Sequence, residues 1–225
     1  MVVDDERDIC EILQFNLENE GYEVDTAYSA EEALNKLSAD HSLILLDVMM
    51  GGMSGYKLAE KLRKEGNSVP IVFLTAKDTE NDMLTGFSVG GDDYISKPFS
   101  IKEVTARVRA VLKRATHGDD GGHGGTGRMV FGDVVIDCDT KELSIGGVGI
   151  PLTRTEFELL ATLASNPARV FSREELIDRI WTESPFVTER TVDVHITRLR
   201  KKLGDRGTLI SSRPGYGYRF NRTEE

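Results

Sequence analysis

The sequence has few of the features that secreted and membrane proteins depend on. Only two of its 225 residues are cysteines, Cys10 and Cys138, and they form no CxxC pair, so a disulfide framework is excluded. There is no run of about 18 apolar residues, and Asp4, Asp5 and Glu6 lie where a signal peptide would be apolar. We therefore expect a cytoplasmic, reduced protein with no membrane partner. The two cysteines are either redox-sensitive thiols or, as we favour, small buried residues.

The chain carries an excess of negative charge, which at first argues against a nucleic-acid partner. It has 38 acidic and 28 basic residues, a formal net charge of -10. Most of the excess lies in residues 1–114, with 21 acidic and 13 basic side chains, whereas residues 129–225 have 15 and 14. Within the second half, residues 190–222 contain nine basic and two acidic residues, a net of +7. The acidic total therefore hides a basic patch of the kind that binds nucleic-acid phosphates.

A glycine-rich segment separates the two halves. Six of the fourteen residues 115–128 are glycine and none is a large aliphatic residue, so the segment cannot bury enough surface to order itself. A phosphate loop would need a preceding strand, a following helix and a Lys-Ser/Thr pair, and the sequence predicts none of these here. His117 and His123 have no neighbouring cysteine that would complete a metal site. We predict two domains, 1–114 and 129–225, joined by a flexible linker at 115–128.

The first half alternates between strand and helix patterns. The predicted strands are 2–3, 23–28, 43–46, 71–74 and 94–96, and the predicted helices are about 7–19, 30–38, 55–65, 79–88 and 101–113. Strands separated by helices at this spacing form a parallel sheet covered by helices on both faces. The sequence therefore predicts a doubly wound α/β fold with a five-stranded parallel sheet.

Polar residues follow four of these strands at the same edge of the sheet: Asp4, Asp5, Asp47, Thr75 and Lys97. Ligands of such sheets bind at this edge. Three converging carboxylates repel one another and are costly to bury, and Mg²⁺, which prefers oxygen ligands, relieves both effects. A carboxylate beside the metal can attack a phosphoryl group, with Lys97 and Thr75 binding its oxygens. The alternative for any one of these residues is a solvated turn or helix cap.

Four segments, VVDDE, LILLDVMMGGMSG, FLTAK and GGDDYISKPF, resemble the motifs of the response-regulator receiver domain of two-component signalling. The resemblance covers essentially all of residues 1–114. It implies a flavodoxin-like fold in which Asp47 is phosphorylated by a sensor histidine kinase. It also implies an Mg²⁺ site whose ligands are Asp4, Asp5, Asp47 and the backbone carbonyl of Met49.

The receiver resemblance implies further roles in the same pocket. Thr75 and Tyr94 would form a switch pair, in which the hydroxyl moves to the phosphoryl group and the aromatic ring turns inward. Lys97 would contact the phosphoryl group and be joined to Pro98 by a cis peptide bond. Only three residues precede the acidic pair, so the first strand is short, and an intact and a truncated start both fit the pattern.

A homodimer is implied as well. Receivers attached to winged-helix domains pair through charges on the face formed by the fourth helix, fifth strand and fifth helix. The residues that fit this pattern are Asp92, Asp93, Glu103, Arg107, Arg109 and Arg114. The alternative is a solvated face, on which each exposed ion pair contributes only about 0–1 kcal/mol.

The second half predicts a small antiparallel sheet followed by three helices. Residues 129–152 alternate apolar and polar side chains between Asp/Gly breaks, as such a sheet does. Thr153 with Glu156, and Ser172 with Glu175, have capping-box spacing at two helix starts. The predicted helices span about 154–165, 173–181 and 188–203.

The third of these helices has two unlike faces. Val192, Ile196 and Leu199 recur at helical spacing and form the core stripe. The opposite face is basic and carries methyl groups, which suits the major groove of double-stranded DNA because Arg reads guanine and methyl groups contact thymine. The predicted DNA contacts of this helix are Arg190, Val194, His195, Thr197, Arg198, Arg200, Lys201 and Lys202. The alternatives are a solvated basic face and, for His195, a capping or packing role.

The last part of the chain predicts a basic hairpin. Two strand-like runs, 209–212 and 218–220, enclose Arg213 and Pro214, and a hairpin of this kind is a wing suited to the minor groove or the backbone. The segments LTRTEFELLATLASNPARVFSREELIDRIW, RTVDVHITRLRKKL and RPGYGYRF resemble the effector domain of OmpR/PhoB-type regulators over about 129–220. The resemblance implies an α+β winged helix-turn-helix domain. Pro214 takes the place where the family has an arginine.

The sequence thus predicts a transcription regulator rather than an enzyme with an external substrate. Phosphorylation of Asp47 would favour a receiver dimer whose two effector domains bind tandem promoter half-sites, with RNA polymerase as a further partner. One alternative is an Mg²⁺-dependent aspartyl phosphatase, although these enzymes have a DxDxT/V pattern and Asp47 is followed by Val48-Met49-Met50. The other is a phosphorylation-independent DNA-binding regulator whose receiver is a dimerisation scaffold.

Overall fold

The computed structural model describes residues 1–76, 80–116, 127–181 and 187–222. The chain divides into two compact units, Met1–Thr116 and His117–Glu225. Each unit has its own sheets and its own set of helices. None of the described helices is long and apolar enough to cross a membrane.

The unit Met1–Thr116 is built on a five-stranded parallel sheet in the order β2-β1-β3-β4-β5. Its strands are β1 (Val2–Val3), β2 (Thr26–Ala27), β3 (Ile44–Asp47), β4 (Ile71–Thr75) and β5 (Asp93–Ser96). Its helices are α1 (Arg7–Asn19), α2 (Ala30–Lys36), α3 (Gly55–Lys64), α4 (Glu80–Val89) and α5 (Ile101–Thr116). The strand order reverses between β1 and β3, and ligands of such sheets bind beyond the carboxyl ends at this point. The predicted doubly wound α/β fold is confirmed.

Apolar side chains on both faces of the central strands hold this sheet. Every residue of β3 and of β4 is buried, as expected for parallel strands covered on both sides. On α1, Leu13 and Leu17 recur at helical spacing and pack into the same core as Leu45 and Val72. Burying a side chain of this size stabilises the fold by about 1.5–3 kcal/mol. This packing fixes the strand ends, and with them the polar residues that follow the strands.

The unit His117–Glu225 contains a four-stranded antiparallel sheet, three helices and a hairpin. The sheet strands are β6 (Arg128–Phe131), β7 (Val134–Asp137), β8 (Glu142–Ile145) and β9 (Val148–Ile150). The helices are α6 (Arg154–Ala164), α7 (Arg173–Ile180) and α8 (Glu189–Leu203), and the hairpin is β10 (Ile210–Arg213) and β11 (Gly217–Phe220). Thr153 and Ser172 form complete capping boxes with Glu156 and Glu175, as predicted. The predicted α+β winged-helix fold is confirmed.

The hairpin, called the wing below, is attached to the start of α7. Phe171 and Tyr218 exchange two backbone hydrogen bonds of 2.8 and 3.0 Å. Gly217 has a φ of +130° at this junction, and a Cβ there would overlap the carbonyl oxygen of Phe171. Glycine is therefore required where β11 passes the chain that leads into α7.

Two element boundaries differ by three residues from those predicted, and the other differences are smaller. The strand β2 is limited to Thr26–Ala27, instead of 23–28, because β1 offers only Val2 and Val3 for pairing. The helix α5 continues to Thr116 and β6 begins at Arg128, so both ends of the predicted linker belong to regular elements. Residues 117–126 of that linker lie outside the described residues.

Both cysteines are buried inside their units. The Sγ of Cys10 donates to the carbonyl oxygen of Asp4 at 3.4 Å. Burial raises the pKa of Cys10 to about 11 and also raises the pKa of Cys138. Since the thiolate is the reactive form, these environments favour small buried residues over redox-sensitive thiols.

Candidate functional site

Three carboxylates meet at the carboxyl edge of the parallel sheet. Asp4 and Asp5 follow β1, and Asp47 is the last residue of β3. One oxygen from each lies within 4.8 Å of the other two, with Asp4 and Asp47 buried and Asp5 exposed. The register pairs Val3 with Leu46 on adjacent strands, so it brings the residues that follow them together. The strand-end pattern in the sequence predicted this cluster.

The ammonium group of Lys97 neutralises part of this charge. Its Nζ lies 2.7 Å from Oδ2 of Asp4 and 3.1 Å from Oδ1 of Asp47. Its backbone N–H donates to the carbonyl oxygen of Thr75 at 2.7 Å, and its peptide bond to Pro98 is cis, as the resemblance implied. Lys97 thus bridges the two buried carboxylates.

Backbone N–H groups orient the other carboxylate oxygens. The N–H of Met49 donates to Oδ2 of Asp47 at 2.7 Å, and the N–H of Gly51 donates to Oδ2 of Asp5 at 3.0 Å. The backbone of Met49 therefore lies beside Asp47, where the carbonyl ligand is predicted. These bonds hold the loop after β3 against the carboxylates.

The electrostatics of this cluster leave negative charge uncompensated. Burial raises the pKa of Asp47, the charge of Lys97 opposes this, and the charge of Asp4 adds to the rise. Burial favours a lower pKa for Lys97, but its bonds to Asp4 and Asp47 raise it to about 12. A divalent cation relieves this excess. A few carboxylate oxygens with an exposed side at Asp5 suit Mg²⁺, which keeps several water ligands.

Thr75 and Tyr94 lie together on β4 and β5, and both are fully buried. The ring of Tyr94 is turned inward, and its hydroxyl is hydrogen-bonded to Thr75 and to Tyr56. Burial raises the pKa of Tyr94, so the hydroxyl stays protonated. The predicted switch pair is therefore in contact. Tyr56, on α3, was not predicted, because an aromatic residue on a helix gives no chemical signal beyond packing.

A second candidate site is the outer face of α8. Arg190, Val194, Thr197 and Lys201 follow one another at intervals of four, three and four residues, and each is exposed or half-buried. The buried residues of this helix are Thr191, Val192, His195, Ile196, Leu199 and Leu203. The helix thus presents a stripe that is basic at its ends and bears methyl groups between them, which is the composition expected for a major groove.

The charged ends of Arg198 and Lys202 point into the domain. Arg198 Nη2 lies 2.8 Å from Oε1 of Glu156, and Lys202 Nζ lies 2.6 Å from Oε2. Glu156 is fully buried, and although burial raises its pKa, the two cations lower it overall. The geometry does not support the predicted DNA contacts of Arg198 and Lys202, since breaking either pair leaves a buried carboxylate short of a cation. In the sequence, Glu156 is recognisable only as a capping residue.

The predicted phosphate contact of His195 is wrong. Its side chain is fully buried, and its ring centroid lies 5.2 Å from that of Trp181. Burial lowers the pKa of His195 to about 3, so the ring is neutral. The packing alternative is the right one. The spacing of His195 from Val192 and Leu199, three and four residues, places it on the core stripe and was the available signal.

Arg200 joins α8 to the wing. Its Nε donates to the carbonyl oxygen of Ile210 and its Nη2 to Oγ of Ser212, both at 3.0 Å. Arg213 and Tyr216 are exposed at the tip of the wing. Arg200 therefore positions the wing beside α8, and its predicted DNA contact stays a prediction. The exposed ring of Tyr216 was missed, although an aromatic residue in a Gly-rich turn was a visible signal.

Known proteins match both units of the chain. A family model described as the response regulator receiver domain matches residues 1–109, and one described as transcriptional regulatory protein, C terminal, matches residues 147–220. The chain is 40% identical over 227 residues to the transcriptional regulatory protein ResD of Bacillus subtilis, covering 98% of this chain and 94% of ResD. The chain belongs to the OmpR/PhoB-type two-component response regulators.

Other relatives agree with this membership. Response regulator SaeR of Staphylococcus epidermidis is 37% identical over 226 residues, covering 99% of this chain and 98% of SaeR. The solved structure of a RitR mutant is 30% identical, covers 98% of this chain and 97% of its own, and has a TM-score of 0.78. The solved structure of DrrB, an OmpR/PhoB homologue of Thermotoga maritima, is 32% identical over the same shares, with a TM-score of 0.50. Because response regulators of this type are transcription factors and not enzymes, the aspartyl phosphatase alternative is rejected.

Several charges expected to join two copies of this response regulator are bonded within one chain. Asp93 on β5 and Arg107 on α5 form a buried ion pair at 3.0 Å. Arg107 also lies 3.2 Å from Glu103, one turn earlier on α5. Both side chains are covered within the protomer, so the structure gives no support to the predicted intersubunit contacts of Asp93 and Arg107, which stay predictions.

The other residues of the predicted dimer face are also placed differently. Asp92 is buried, accepts from the N–H of Ile71 at 3.0 Å and lies 3.3 Å from Arg63 on α3, and its intersubunit contact stays a prediction. Arg109 is exposed and lies 2.8 Å from Glu20. The side chain of Arg114 lies outside the described residues.

We expect Mg²⁺ to stabilise the receiver unit, Met1–Thr116. An ion that binds the native carboxylate cluster and not the unfolded chain adds about 2.7 kcal/mol to the free energy of unfolding at a hundredfold excess over its dissociation constant. Thermal unfolding with Mg²⁺ and with a chelator measures the gain. Asp5→Asn should lose most of it, whereas Asp8→Asn, an exposed position on α1, should retain it. Equal gains in wild type and Asp5→Asn would place the ion elsewhere.

We expect His195 to make the effector unit, His117–Glu225, less stable in acid. Its pKa falls from 6.5 to about 3 on folding, so below about pH 6.5 only the unfolded state takes up its proton. The contribution of the neutral His195 ring to the free energy of unfolding is complete above pH 6.5. It is lost as the pH falls towards 3, at up to about 1.4 kcal/mol per pH unit. Urea unfolding at pH 7 and pH 5 measures this loss. His195→Leu should lose less than wild type, and an equal loss in both proteins would contradict a neutral, buried His195.

Proposed function

We propose that this response regulator accepts a phosphoryl group on Asp47 from a sensor histidine kinase. The observation that carries the proposal is the position of Asp47, a carboxylate buried at the carboxyl end of β3, 3.1 Å from the Lys97 ammonium and clustered with Asp4 and Asp5. In the transfer, the P–N bond to the kinase histidine breaks and a P–O bond to Asp47 forms. The released imidazole takes up a proton.

The residues around Asp47 fit this role. The proposed Mg²⁺ ligands are Asp4, Asp5, Asp47 and the backbone carbonyl of Met49. The bound ion would supply positive charge that stabilises the transferring phosphoryl oxygens. Lys97 already bridges Asp4 and Asp47, so its ammonium group lies where it can bind a phosphoryl oxygen. The Thr75 hydroxyl at the end of β4 would donate to another.

We also propose that phosphorylation favours a dimer through the α4–β5–α5 surface, and that two effector domains then bind tandem promoter half-sites in the cytoplasm, next to RNA polymerase. Joining two binding modules raises the effective concentration of the second at its half-site. The outer stripe of α8 would enter the major groove, and Arg213 with Tyr216 would reach the minor groove or backbone from the wing. The net charge of +7 over residues 190–222 supports this assignment.

The first prediction of this proposal concerns phosphorylation. With Mg²⁺ and acetyl phosphate as donor, the wild-type protein should gain one alkali-labile, hydroxylamine-labile phosphoryl group per chain, and a chelator should prevent this. Asp47→Ala should gain none, because the substitution removes the carboxylate that accepts the phosphoryl group. Asp8→Ala should label like wild type. Equal labelling of Asp47→Ala and wild type would refute the assignment.

A second prediction concerns DNA. Thr197→Ala removes a methyl group and a hydroxyl group from the outer stripe of α8 and should reduce discrimination between promoter sequences by about 1 kcal/mol, the scale of one buried methyl group. Lys201→Ala should weaken binding to all sequences alike. It should also reduce the slope of log K against log salt concentration by about one, because one phosphate contact is lost. Titrations at several salt concentrations measure both effects. Arg128→Ala, an exposed arginine on β6, is the control and should bind like wild type. Unchanged discrimination in Thr197→Ala would remove this face of α8 from the interface.

The same titrations distinguish the proposed function from the remaining alternative. Equal promoter affinity for wild type and Asp47→Ala, each with and without phosphodonor, would show a phosphorylation-independent regulator whose receiver serves as a scaffold. A higher affinity found only in phosphorylated wild type supports the proposal.

A further inference from the structure

A chain of hydroxyl groups runs from the phosphoryl-acceptor pocket to α4. The hydroxyl of Tyr94 on β5 is hydrogen-bonded to Thr75 on β4 and to Tyr56 on α3. The hydroxyl of Tyr56 donates to the carbonyl oxygen of Asp82, in the first turn of α4, at 2.9 Å. Thr75 and Tyr94 are fully buried. Four elements that surround the pocket are thus connected by one line of hydrogen bonds.

The proton count fixes the direction of this line. Each hydroxyl has one proton to donate, and a carbonyl oxygen can only accept, so the proton of Tyr56 is used on Asp82. Tyr94 must then donate to Tyr56. Because its proton is spent there, Thr75 must donate to Tyr94. In this state every proton points away from the acceptor pocket and towards α4.

The rings on which these hydroxyls stand have little room to move. Phe73 on β4 packs edge-on against Tyr56, with ring centroids 5.1 Å apart, and lies 6.4 Å from the ring of Tyr94. A Cβ on Gly86 of α4 would lie only 3.2 Å from both Phe73 and Tyr94. The helix α4 is therefore in close contact with the aromatic rings, and hydroxyl rotation needs far less space than ring movement.

A phosphoryl group on Asp47 conflicts with this direction. Phosphoryl oxygens only accept hydrogen bonds, so a Thr75 hydroxyl that donates to one of them must withdraw its proton from Tyr94. We propose that Tyr56 is a positioning residue whose hydroxyl lets the whole line reverse: Thr75 donates to the phosphoryl group, Tyr94 to Thr75, and Tyr56 to Tyr94. The carbonyl oxygen of Asp82 then loses the donor that ties α4 to α3. This inference rests on the proposed phosphorylation of Asp47.

The reversal gives Tyr56→Phe an effect of unexpected sign. Without the Tyr56 hydroxyl, Tyr94 loses the hydrogen bond to α3 and donates to Thr75 instead, which releases the proton of Thr75 for the phosphoryl group. The variant should bind beryllofluoride, an analogue of the phosphoryl group, more tightly than wild type by roughly twofold to tenfold, the range set by the net contribution of one hydrogen bond. A residue that only packs against Phe73 would leave this affinity unchanged or weaken it.

The Asp82 carbonyl can be observed directly. Asp82–Met83 is the only Asp-Met pair in the sequence, so labelling Asp carbonyls with ¹³C and Met amides with ¹⁵N gives one amide–carbonyl correlation in the full chain. Beryllofluoride with Mg²⁺ should shift this carbonyl upfield in wild type as the Tyr56 bond is lost. In Tyr56→Phe it should start upfield and move less. Tyr22→Phe, the same change at a partly buried tyrosine outside the line, should behave like wild type.

Fluorine NMR of the bound beryllofluoride separates the two ways this can fail. If no beryllofluoride binds, the proposed function is wrong and the inference falls with it. If it binds to wild type while the Asp82 carbonyl stays in place, or if Tyr56→Phe binds it no more tightly than wild type, the inference alone is overturned. Tighter binding together with an upfield Asp82 carbonyl in Tyr56→Phe supports it.

Discussion

The burial of two carboxylates, Asp4 and Asp47, against the one ammonium group of Lys97 is the constraint on which the receiver unit depends. The β1–β3 register places the carboxylates side by side, and the end of β5 supplies the lysine. Burial and mutual repulsion raise the energy of the charged state, and Lys97 offsets only part of it. A pocket of this kind gains stability from any added positive charge. The fold thus leaves the pocket incompletely neutralised, which is the state expected for the proposed phosphoryl acceptor.

The effector unit shows the opposite arrangement of the same groups. Glu156 is also a buried carboxylate, but Arg198 and Lys202 both pair with it, and its pKa is lowered where that of Asp47 is raised. Two cations make a stable structural pair that fixes α8 against α6. One cation shared between two buried carboxylates leaves a net negative site, as expected for the proposed ion-binding acceptor. The number of cations per buried carboxylate therefore distinguishes the structural ion pairs of Glu156 from the proposed acceptor site at Asp47.

Most of the fold and of the acceptor pocket could be predicted from the sequence because both depend on local patterns. Strand runs, helix caps and the polar residues at strand ends are visible in a linear chain, and the strand order follows from a parallel doubly wound sheet. What the sequence could not show are the charge partners that come from distant segments. Asp92 and Arg63 are 29 residues apart and Arg198 pairs with Glu156 from another helix, so the sequence presented them as surface charges. His195 differs, because its place on the core stripe was visible and was outweighed by the basic residues around it.

The central claim is that Asp47, whose negative charge is only partly offset by Lys97, forms the acyl phosphate. Hydride reduction converts an aspartyl phosphate to homoserine, and peptide mass spectrometry then identifies the position. Applied to the full chain after phosphotransfer from a histidine kinase, this measurement should find homoserine at position 47 and unmodified aspartate at positions 4 and 5. Homoserine at position 4 or 5, or unmodified aspartate at all three after confirmed phosphotransfer, would contradict the account.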